Sequence, residues 1–329
     1  MLDIIMYHYV RNNEEHDFDC FARRWSEFED QINFLAQRID IVSPADSEKI
    51  RYYLSHPDSA SRGCLLTFDD GYKEHLDCAK FLKSKNLSAF FFPSTSVIRG
   101  DFLDVNSIHM LVGARGVDIE GVLSVIVSEI KRQNLSILSF DGNPISLDGY
   151  LAQHIASSYD DRETILVKRL LQRDIVDLNS RKGLMLHCLD LFFRLDSLAI
   201  CDGYYLSIDD MREMRSDGMF FGSHCFSHNW LAGVSRDQQS YEITESFAEL
   251  ERLSLYSPIT DPRVVCYPYG SYDEVTLSVM AEQNVDYGLT TEEGPAFLGQ
   301  DVGSAYRLSR WDTNSFWDNK WRKPVIPLC

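Results

Sequence analysis

Short apolar runs alternate with segments of helical periodicity along most of this chain. The first run, residues 4–10, predicts a strand, and apolar side chains at Trp25, Phe28, Ile32 and Leu35 predict the helix that follows it. Further strands are predicted over 39–42, 64–68, 89–92, 219–223, 264–267 and 285–290, and further helices over 74–85, 207–217, 273–283 and from Ser235 onward.

Strands that alternate with helices predict a parallel sheet, and seven or so such units suit a closed or partly closed barrel. The alternation is interrupted in the middle of the chain, where helices are predicted over 119–132 and 164–178. We therefore predict an α/β fold with a barrel at 1–98 and 205–329 and a helical insertion, or cap, at 99–204.

Length, charge and cysteine content narrow the classes of function. A chain of 329 residues can bury a large core, and its net charge of −18 argues against nucleic acid or an anionic membrane as a partner. The eight cysteines contain no CxxC pair, which favours reduced thiols. The chain enters its first strand without a basic segment, and no apolar run reaches the length of a membrane span. We expect a cytoplasmic protein with no stable membrane insertion.

Two adjacent carboxylates, Asp69 and Asp70, end the apolar run 64–68 and are followed by Gly71. Neighbouring side chains at a strand end point in opposite directions, and glycine permits a sharp turn. One carboxylate could therefore bind a metal ion while the other takes a proton from water, as metal-assisted hydrolysis requires. The alternative interpretation is an ordinary Asp-Asp-Gly turn.

His224 and His228 also follow a predicted strand, and their spacing can place two imidazoles on one side of a helical turn. Neutral imidazole is a ligand for zinc and other divalent transition metals. The carboxyl ends of parallel strands share one rim, so Asp70 is expected near both histidines. Three such ligands would leave a coordination position open for water. A pair of ordinary histidines is the alternative.

A third turn, Cys266-Tyr267-Pro268-Tyr269-Gly270, follows another predicted strand. A backbone N–H in such a tight turn can point at a developing oxyanion. A plain strand-to-helix turn would explain the same residues.

These three motifs occur in an order that resembles the polysaccharide deacetylase family (NodB homology, carbohydrate esterase family 4). The resemblance covers residues 1–98 and 205–312 and implies a distorted (β/α) barrel that removes acetyl groups from sugars with the help of a metal ion. By position, the resemblance implies Asp69 as general base, Asp70, His224 and His228 as metal ligands, and the Tyr269 backbone N–H as a donor to the oxyanion.

The chain departs from the family pattern at several positions, and one departure changes which residue is expected to be the general acid. Cys225 stands where the family usually has serine or threonine, and Cys266 or Tyr267 stands where it usually has arginine. The family's general-acid histidine normally lies near the C-terminus, but no histidine follows His228. A circularly permuted branch carries it on an N-terminal strand, and Met6-Tyr7-His8-Tyr9-Val10 is similar to that segment. The resemblance thus implies His8 as general acid, with a core histidine as the alternative.

Two late residues complete the predicted site. Arg310 resembles the Leu-x-Arg segment of the permuted branch and could orient Asp69 by a bidentate pair. Trp311 could wall the acetyl pocket. A surface arginine and a core tryptophan are the alternatives.

The predicted function is therefore a deacetylase that hydrolyses an N-acetyl group on a sugar with zinc, or with cobalt or nickel in its place. Because the chain shows no export signal, we expect a nucleotide- or lipid-linked precursor of a bacterial surface polysaccharide such as O-antigen. A catalytically silent sugar-binding protein and a hydrolase of formyl or non-sugar amides are the alternatives. The sequence identifies no protein partner.

Overall fold

The computed structural model describes residues 1–11, 22–113, 116–154, 160–194 and 203–313. Its described residues divide into two compact units. The barrel unit contains residues 1–11, 22–99 and 203–313, and the second unit contains the described residues between 100 and 194.

The barrel unit is built on a parallel sheet that curls into a distorted barrel. The strands are β1 Leu2–Tyr7, β2 Asp40–Ile41, β3 Gly63–Asp69, β4 Phe90–Phe92, β7 Phe220–Phe221, β8 Val264–Cys266, β9 Tyr287–Glu293 and β10 Leu308–Asp312. Their order in the sheet is β7-β4-β3-β1-β10-β9-β8, and the short β2 lies beside β3 outside this path. Every pair of neighbouring strands in the sheet is parallel. The predicted α/β barrel of about seven strands is thus confirmed.

The two ends of this strand order are joined by a single parallel bridge between Ser223 and Val265. The Ser223 N–H donates to the Val264 carbonyl at 3.0 Å, and its own carbonyl accepts from the Cys266 N–H at 2.8 Å. Gly222 allows this approach, because a Cβ there would lie 2.8 Å from the Val264 carbonyl oxygen. The bridge brings the loop that follows β7 next to the carboxyl end of β8.

Helices pack against the sheet, and their apolar faces share the core with the apolar residues of the strands. Phe28, Ile32 and Leu35 of the first helix are buried against the sheet, as their helical spacing predicts. Full burial of each such side chain contributes about 1.5–3 kcal/mol. The helices of this unit are Trp25–Ala36, Ser47–Ser55, His75–Ser84, Ile208–Ser216, Arg236–Arg252 and Glu274–Glu282, with short 3-10 helices at Thr95–Arg99, Pro268–Gly270 and Val302–Tyr306.

The sequence pattern missed β10 and the helix Ser47–Ser55. β10 was missed because its central residue, Arg310, is charged yet only 1% exposed. A buried arginine side chain needs a buried partner that compensates its charge, and the local sequence does not reveal that partner. The missed helix begins with an ordinary cap, in which the Asp46 carboxylate accepts from the Lys49 N–H at 3.0 Å.

The second unit is mainly helical, as predicted, and also carries an unpredicted antiparallel pair, β5 Ile137–Leu138 with β6 Pro144–Ile145. The prediction of a single helix over 164–178 is wrong, because the α-helix ends at Arg169. The helix Arg162–Arg169 passes into a π-helical turn, whose last residue, the buried Asp174, accepts from Tyr150 and Arg169 at 2.7 and 2.9 Å. The remaining helices of the unit are Asp104–Gly113, Ile119–Gln133, Leu147–Leu151 and Leu178–Phe193.

Across the described parts of both units, no helix combines the length and the apolar character needed to cross a bilayer.

Candidate metal centre

The acid pair lies at the carboxyl end of β3, where the chain turns sharply. Asp69 is the last residue of the strand, and Asp70 and Gly71 both adopt left-handed backbone angles, with φ of +72° and +73°. Such angles are costly for a residue other than glycine and occur mainly at functional sites. Both carboxylates are almost fully buried, at 1% and 2% exposure.

Asp70 faces both predicted histidine ligands. Its Oδ1 atom lies 3.2 Å from Nε2 of His224 and 3.3 Å from Nε2 of His228. That oxygen is buried and accepts no hydrogen bond within the described structure. Burial alone would raise the pKa of Asp70, but the two imidazoles hold it well below its usual value. A carboxylate oxygen and two imidazole nitrogens, all within 4.8 Å of one another, fit a divalent metal ion.

The two histidines lie in a loop, so the predicted helical turn is wrong. Cys225 and His228 have left-handed φ angles of +60° and +58°, and these angles turn both imidazoles toward Asp70. The Nδ1 atom of His224 donates to the Cys266 carbonyl at 2.8 Å, so its Nε2 atom is available to a metal ion.

Two residues that the sequence did not single out hold this loop. The buried Glu242 carboxylate accepts from the Ser227 N–H at 2.8 Å and from the Ser227 hydroxyl at 2.5 Å. The Ser94 hydroxyl donates to the His224 carbonyl at 2.8 Å. In the sequence, Glu242 is one acidic residue among many, and nothing local marks it.

Asp69 is bound by Arg310 at the centre of the barrel. Two guanidinium nitrogens lie 2.9 Å from its Oδ1 and 2.8 Å from its Oδ2, and Nε of Arg310 donates to the Thr290 carbonyl at 2.8 Å. Burial alone would raise the pKa of Asp69, but Arg310, followed by His224 and His8, lowers it to about 2. Arg310 therefore contacts both carboxylate oxygens, as the sequence suggested, and its Nη1 contact with Oδ1 is the one of the two with hydrogen-bond geometry.

His8 and Cys266 also reach Asp69. Nε2 of His8 lies 3.8 Å from its Oδ2, and the His8 side chain is 37% exposed. The Cys266 thiol lies 3.4 Å from the same oxygen, and burial raises the pKa of this thiol. In this chain a thiol and a distant arginine thus occupy the surroundings of Asp69, where the family usually provides one arginine.

The remaining predicted residues differ in position. Tyr269 lies beside the candidate ligands, since its ring meets His228 edge-on at 4.7 Å and stacks on Trp230 at 4.9 Å. Trp311 lies on the face of β10 opposite Arg310, where its indole N–H donates to Asp3 at 2.9 Å. The structure therefore does not bring Trp311 together with the other site residues, and its predicted role in an acetyl pocket stays a prediction.

The acid pair and the two imidazoles thus meet on one rim of a parallel barrel. A family model described as polysaccharide deacetylase matches residues 192–288. The putative polysaccharide deacetylase YxkH of Bacillus subtilis (strain 168) is 29% identical over 105 residues, which span 32% of this chain and only 36% of that relative.

Two solved structures share the fold over most of the chain. The deacetylase PplD of Streptococcus pyogenes, solved with acetate, is 17% identical, with 94% of this chain and 91% of that chain covered and a TM-score of 0.53. IcaB from Ammonifex degensii is 15% identical, with 94% and 90% covered and a TM-score of 0.51. At this identity the likeness is evidence for the fold alone.

The matching family model and the curated relative support the polysaccharide deacetylase family (NodB homology, carbohydrate esterase family 4), and the solved structures share its fold. The family prediction made from the motifs is confirmed. The descriptions of the family model and of the relative both name a polysaccharide deacetylase.

Proposed function

We propose that this protein is a divalent-metal-dependent deacetylase that hydrolyses the N-acetyl group of a sugar. The observation that supports it most is the buried Oδ1 of Asp70 between two imidazole nitrogens, next to the Asp69–Arg310 pair. Two nitrogen ligands and one oxygen ligand suit zinc, with cobalt and nickel as alternatives. Held by Asp70, His224 and His228, such an ion would lower the pKa of a bound water and polarise the acyl carbonyl.

The chain's own residues would supply the proton transfers. Asp69 is ionised at neutral pH, and Arg310 keeps it in one orientation, so it is suited to take a proton from the attacking water. The water oxygen bonds to the acetyl carbon, the carbon–nitrogen bond breaks, and acetate leaves. His8 lies close to Asp69 and is partly exposed, so it is suited to protonate the departing amine. The Tyr269 backbone N–H would donate to the oxyanion.

For the substrate we propose a nucleotide- or lipid-linked N-acetyl sugar used to build a bacterial surface polysaccharide, acted on in the cytoplasm. The descriptions of the matching family and of the relative support a sugar substrate. We further propose that residues 99–204 form a domain of their own, apart from the barrel at 1–98 and 205–329, and that this domain recognises the carrier. The compact second unit supports this division.

The experiment measures acetate release and bound metal in the same preparations, with zinc or cobalt added. We expect Asp69→Asn to abolish turnover and keep the metal, and His224→Ala to lose both. His56→Ala, which changes an exposed histidine, serves as the control for loss of an imidazole. Full activity and unchanged metal content in either site variant would refute the assignment.

A substrate panel separates the proposal from its two alternatives. UDP-N-acetyl sugars, lipid-linked N-acetyl sugars and small amides are supplied to the metal-loaded protein. Acetate from the linked sugars supports the proposed substrate class. Release from small amides alone indicates a non-sugar amidase, and sugar binding without acetate release indicates a silent binding protein.

A further inference from the structure

Tyr72 lies two residues after Asp70, and the proposed chemistry gives it no part. Its side chain is fully buried, at 0% exposure, and its hydroxyl donates to Oδ2 of Asp70 at 2.6 Å. Oδ1 of Asp70 is the oxygen with the contacts of 3.2 and 3.3 Å to the two imidazoles. The two oxygens of Asp70 therefore have separate partners.

The ring of Tyr72 is fixed by neighbours from two other segments. The Tyr9 ring stacks on it at 4.1 Å and nearly parallel, and the Tyr204 ring meets it edge-on at 5.8 Å. Its backbone forms an antiparallel bridge with Tyr205. The guanidinium of Arg11 lies 4.2 Å from the Tyr9 ring. Packing of this kind holds the hydroxyl at a set position before any ion binds.

A carboxylate can rotate about its last bond, and it can bind an ion through one oxygen or both. In this structure Oδ1 faces His224 and His228, while Oδ2 is occupied by the Tyr72 hydroxyl. Asp70 also has a left-handed backbone, so its aim depends on contacts beyond the local chain.

We propose that Tyr72 is a positioning residue of the candidate metal centre, whose hydroxyl holds Asp70 so that only Oδ1 is presented to the ion. This inference rests on the metal site of the proposed function. Groups that hydrogen-bond to metal ligands commonly change metal affinity about 10–100-fold when they are removed. The Tyr72 hydroxyl is such a group.

The test compares Tyr72→Phe with Tyr9→Phe. Each removes one hydroxyl from the same aromatic stack, but only Tyr72 donates to Asp70, whereas the Tyr9 hydroxyl pairs with that of Tyr204 at 3.0 Å. Zinc affinity is measured by competition with a chelator, and the visible absorption of the cobalt form reports coordination. We expect Tyr72→Phe to bind zinc about 10–100-fold more weakly and to change the cobalt spectrum, with Tyr9→Phe unchanged in both.

The possible outcomes separate this inference from the metal site itself. If the unaltered protein binds no divalent metal, the proposed metal site fails. If it binds metal and Tyr72→Phe binds equally well with the same spectrum, the inference about Tyr72 is overturned. Equal weakening in both variants overturns it too, because the stack would then matter and the hydrogen bond would not.

A second substitution covers the case in which Tyr72→Phe does not fold. 3-Fluorotyrosine at position 72 keeps the ring and the hydroxyl but makes the hydroxyl a stronger donor. Because the altered donor changes the hydrogen bond that holds Asp70, we expect both the zinc affinity and the cobalt spectrum to shift, while the same replacement at Tyr9 changes neither. Unchanged zinc affinity with 3-fluorotyrosine at position 72 would overturn the inference.

Discussion

The candidate metal centre has a carboxylate half, Asp69 and Asp70, and an imidazole half, His224 and His228. Hydrogen-bond donors hold the first half, and hydrogen-bond acceptors hold the second. In the carboxylate half, each aspartate is bound by a buried donor from a side chain. Arg310 contacts both oxygens of Asp69, and Tyr72 donates to Asp70. Both donors are almost fully buried, and Arg310 compensates the charge of Asp69 inside the protein.

In the imidazole half, the supporting groups are acceptors. The Cys266 carbonyl accepts from His224, and the Glu242 carboxylate accepts from the backbone and the hydroxyl of Ser227, next to His228. A carbonyl thus holds the His224 ring, and the loop itself holds His228. Among the described residues, Asp70 is the one charged side chain that forms an ion pair with either ring.

This difference sets the size of the expected effects. Removing the counter-charge of a buried carboxylate leaves a charge that water cannot reach, whereas loosening a loop costs the strength of its hydrogen bonds. Substitutions in the carboxylate half should therefore lower stability more than substitutions that support the imidazole half.

The largest effect is expected for Arg310→Met. This variant should lose about 3–5 kcal/mol of the free energy of unfolding, because Asp69 would keep a buried charge without its main partner. Burial would then raise the pKa of Asp69 from its value of about 2. Urea denaturation of the metal-free protein at pH 7 measures the loss.

The double variant Asp69→Asn/Arg310→Met is the matched control, since it removes both charges. We expect it to be more stable than Arg310→Met alone, because no uncompensated charge remains. If the double variant is no more stable than the single one, the loss comes from packing, and the contrast between the two halves is wrong.

The same contrast explains how much of the site the sequence could predict. Asp69, Asp70, His224 and His228 were found because each pair lies at the end of an apolar run, and parallel strand ends share a rim. Arg310 was found only through the family resemblance, because the local sequence pattern predicts that a charged residue within a strand is exposed to solvent.

The supporting residues were out of reach of local patterns. Tyr72 is separated from the acid pair by Gly71 alone, but nothing in the sequence indicates that its hydroxyl turns back to Asp70. Glu242 lies on a helix with other acidic residues, and its partner Ser227 is fifteen positions away. The first contact depends on the left-handed turn at Asp70 and Gly71, and the second on how the helix packs against the loop, so neither follows from the spacing of residues alone.

A smaller effect is expected in the imidazole half, for Glu242→Gln. The amide keeps one oxygen but has no charge, so the bonds to the N–H and hydroxyl of Ser227 weaken. We expect a loss of about 1.5–3 kcal/mol in the free energy of unfolding and weaker zinc binding. Glu251→Gln, on the exposed side of the same helix, is the control and should leave both unchanged. A loss as large as that of Arg310→Met would remove the distinction between the halves.

The smallest effect is the pH dependence of stability that arises from His75, which lies near the carboxylate half. His75 is fully buried, and its Nε2 atom donates to the His8 carbonyl at 2.8 Å, while its Nδ1 atom has no hydrogen-bond partner in the described structure. Burial lowers the pKa of His75 from 6.5 to about 4, against smaller raising effects from the His8 carbonyl, Asp70 and Asp69. A second proton would have to occupy Nδ1, where no acceptor receives it.

The sign of the pH effect follows from this preference for the neutral ring. Between about pH 6.5 and 4 the unfolded chain binds a proton at His75 that the folded chain does not, so stability falls as pH falls through that range. At pH 5 the loss from this group should be about 1–2 kcal/mol relative to pH 7. His75→Gln can still donate to the His8 carbonyl but does not titrate, so its stability should fall less between pH 7 and 5. An identical fall in His75→Gln and in the unaltered protein would show that His75 is protonated in the folded state, and that the carboxylate half tolerates a further charge beneath it.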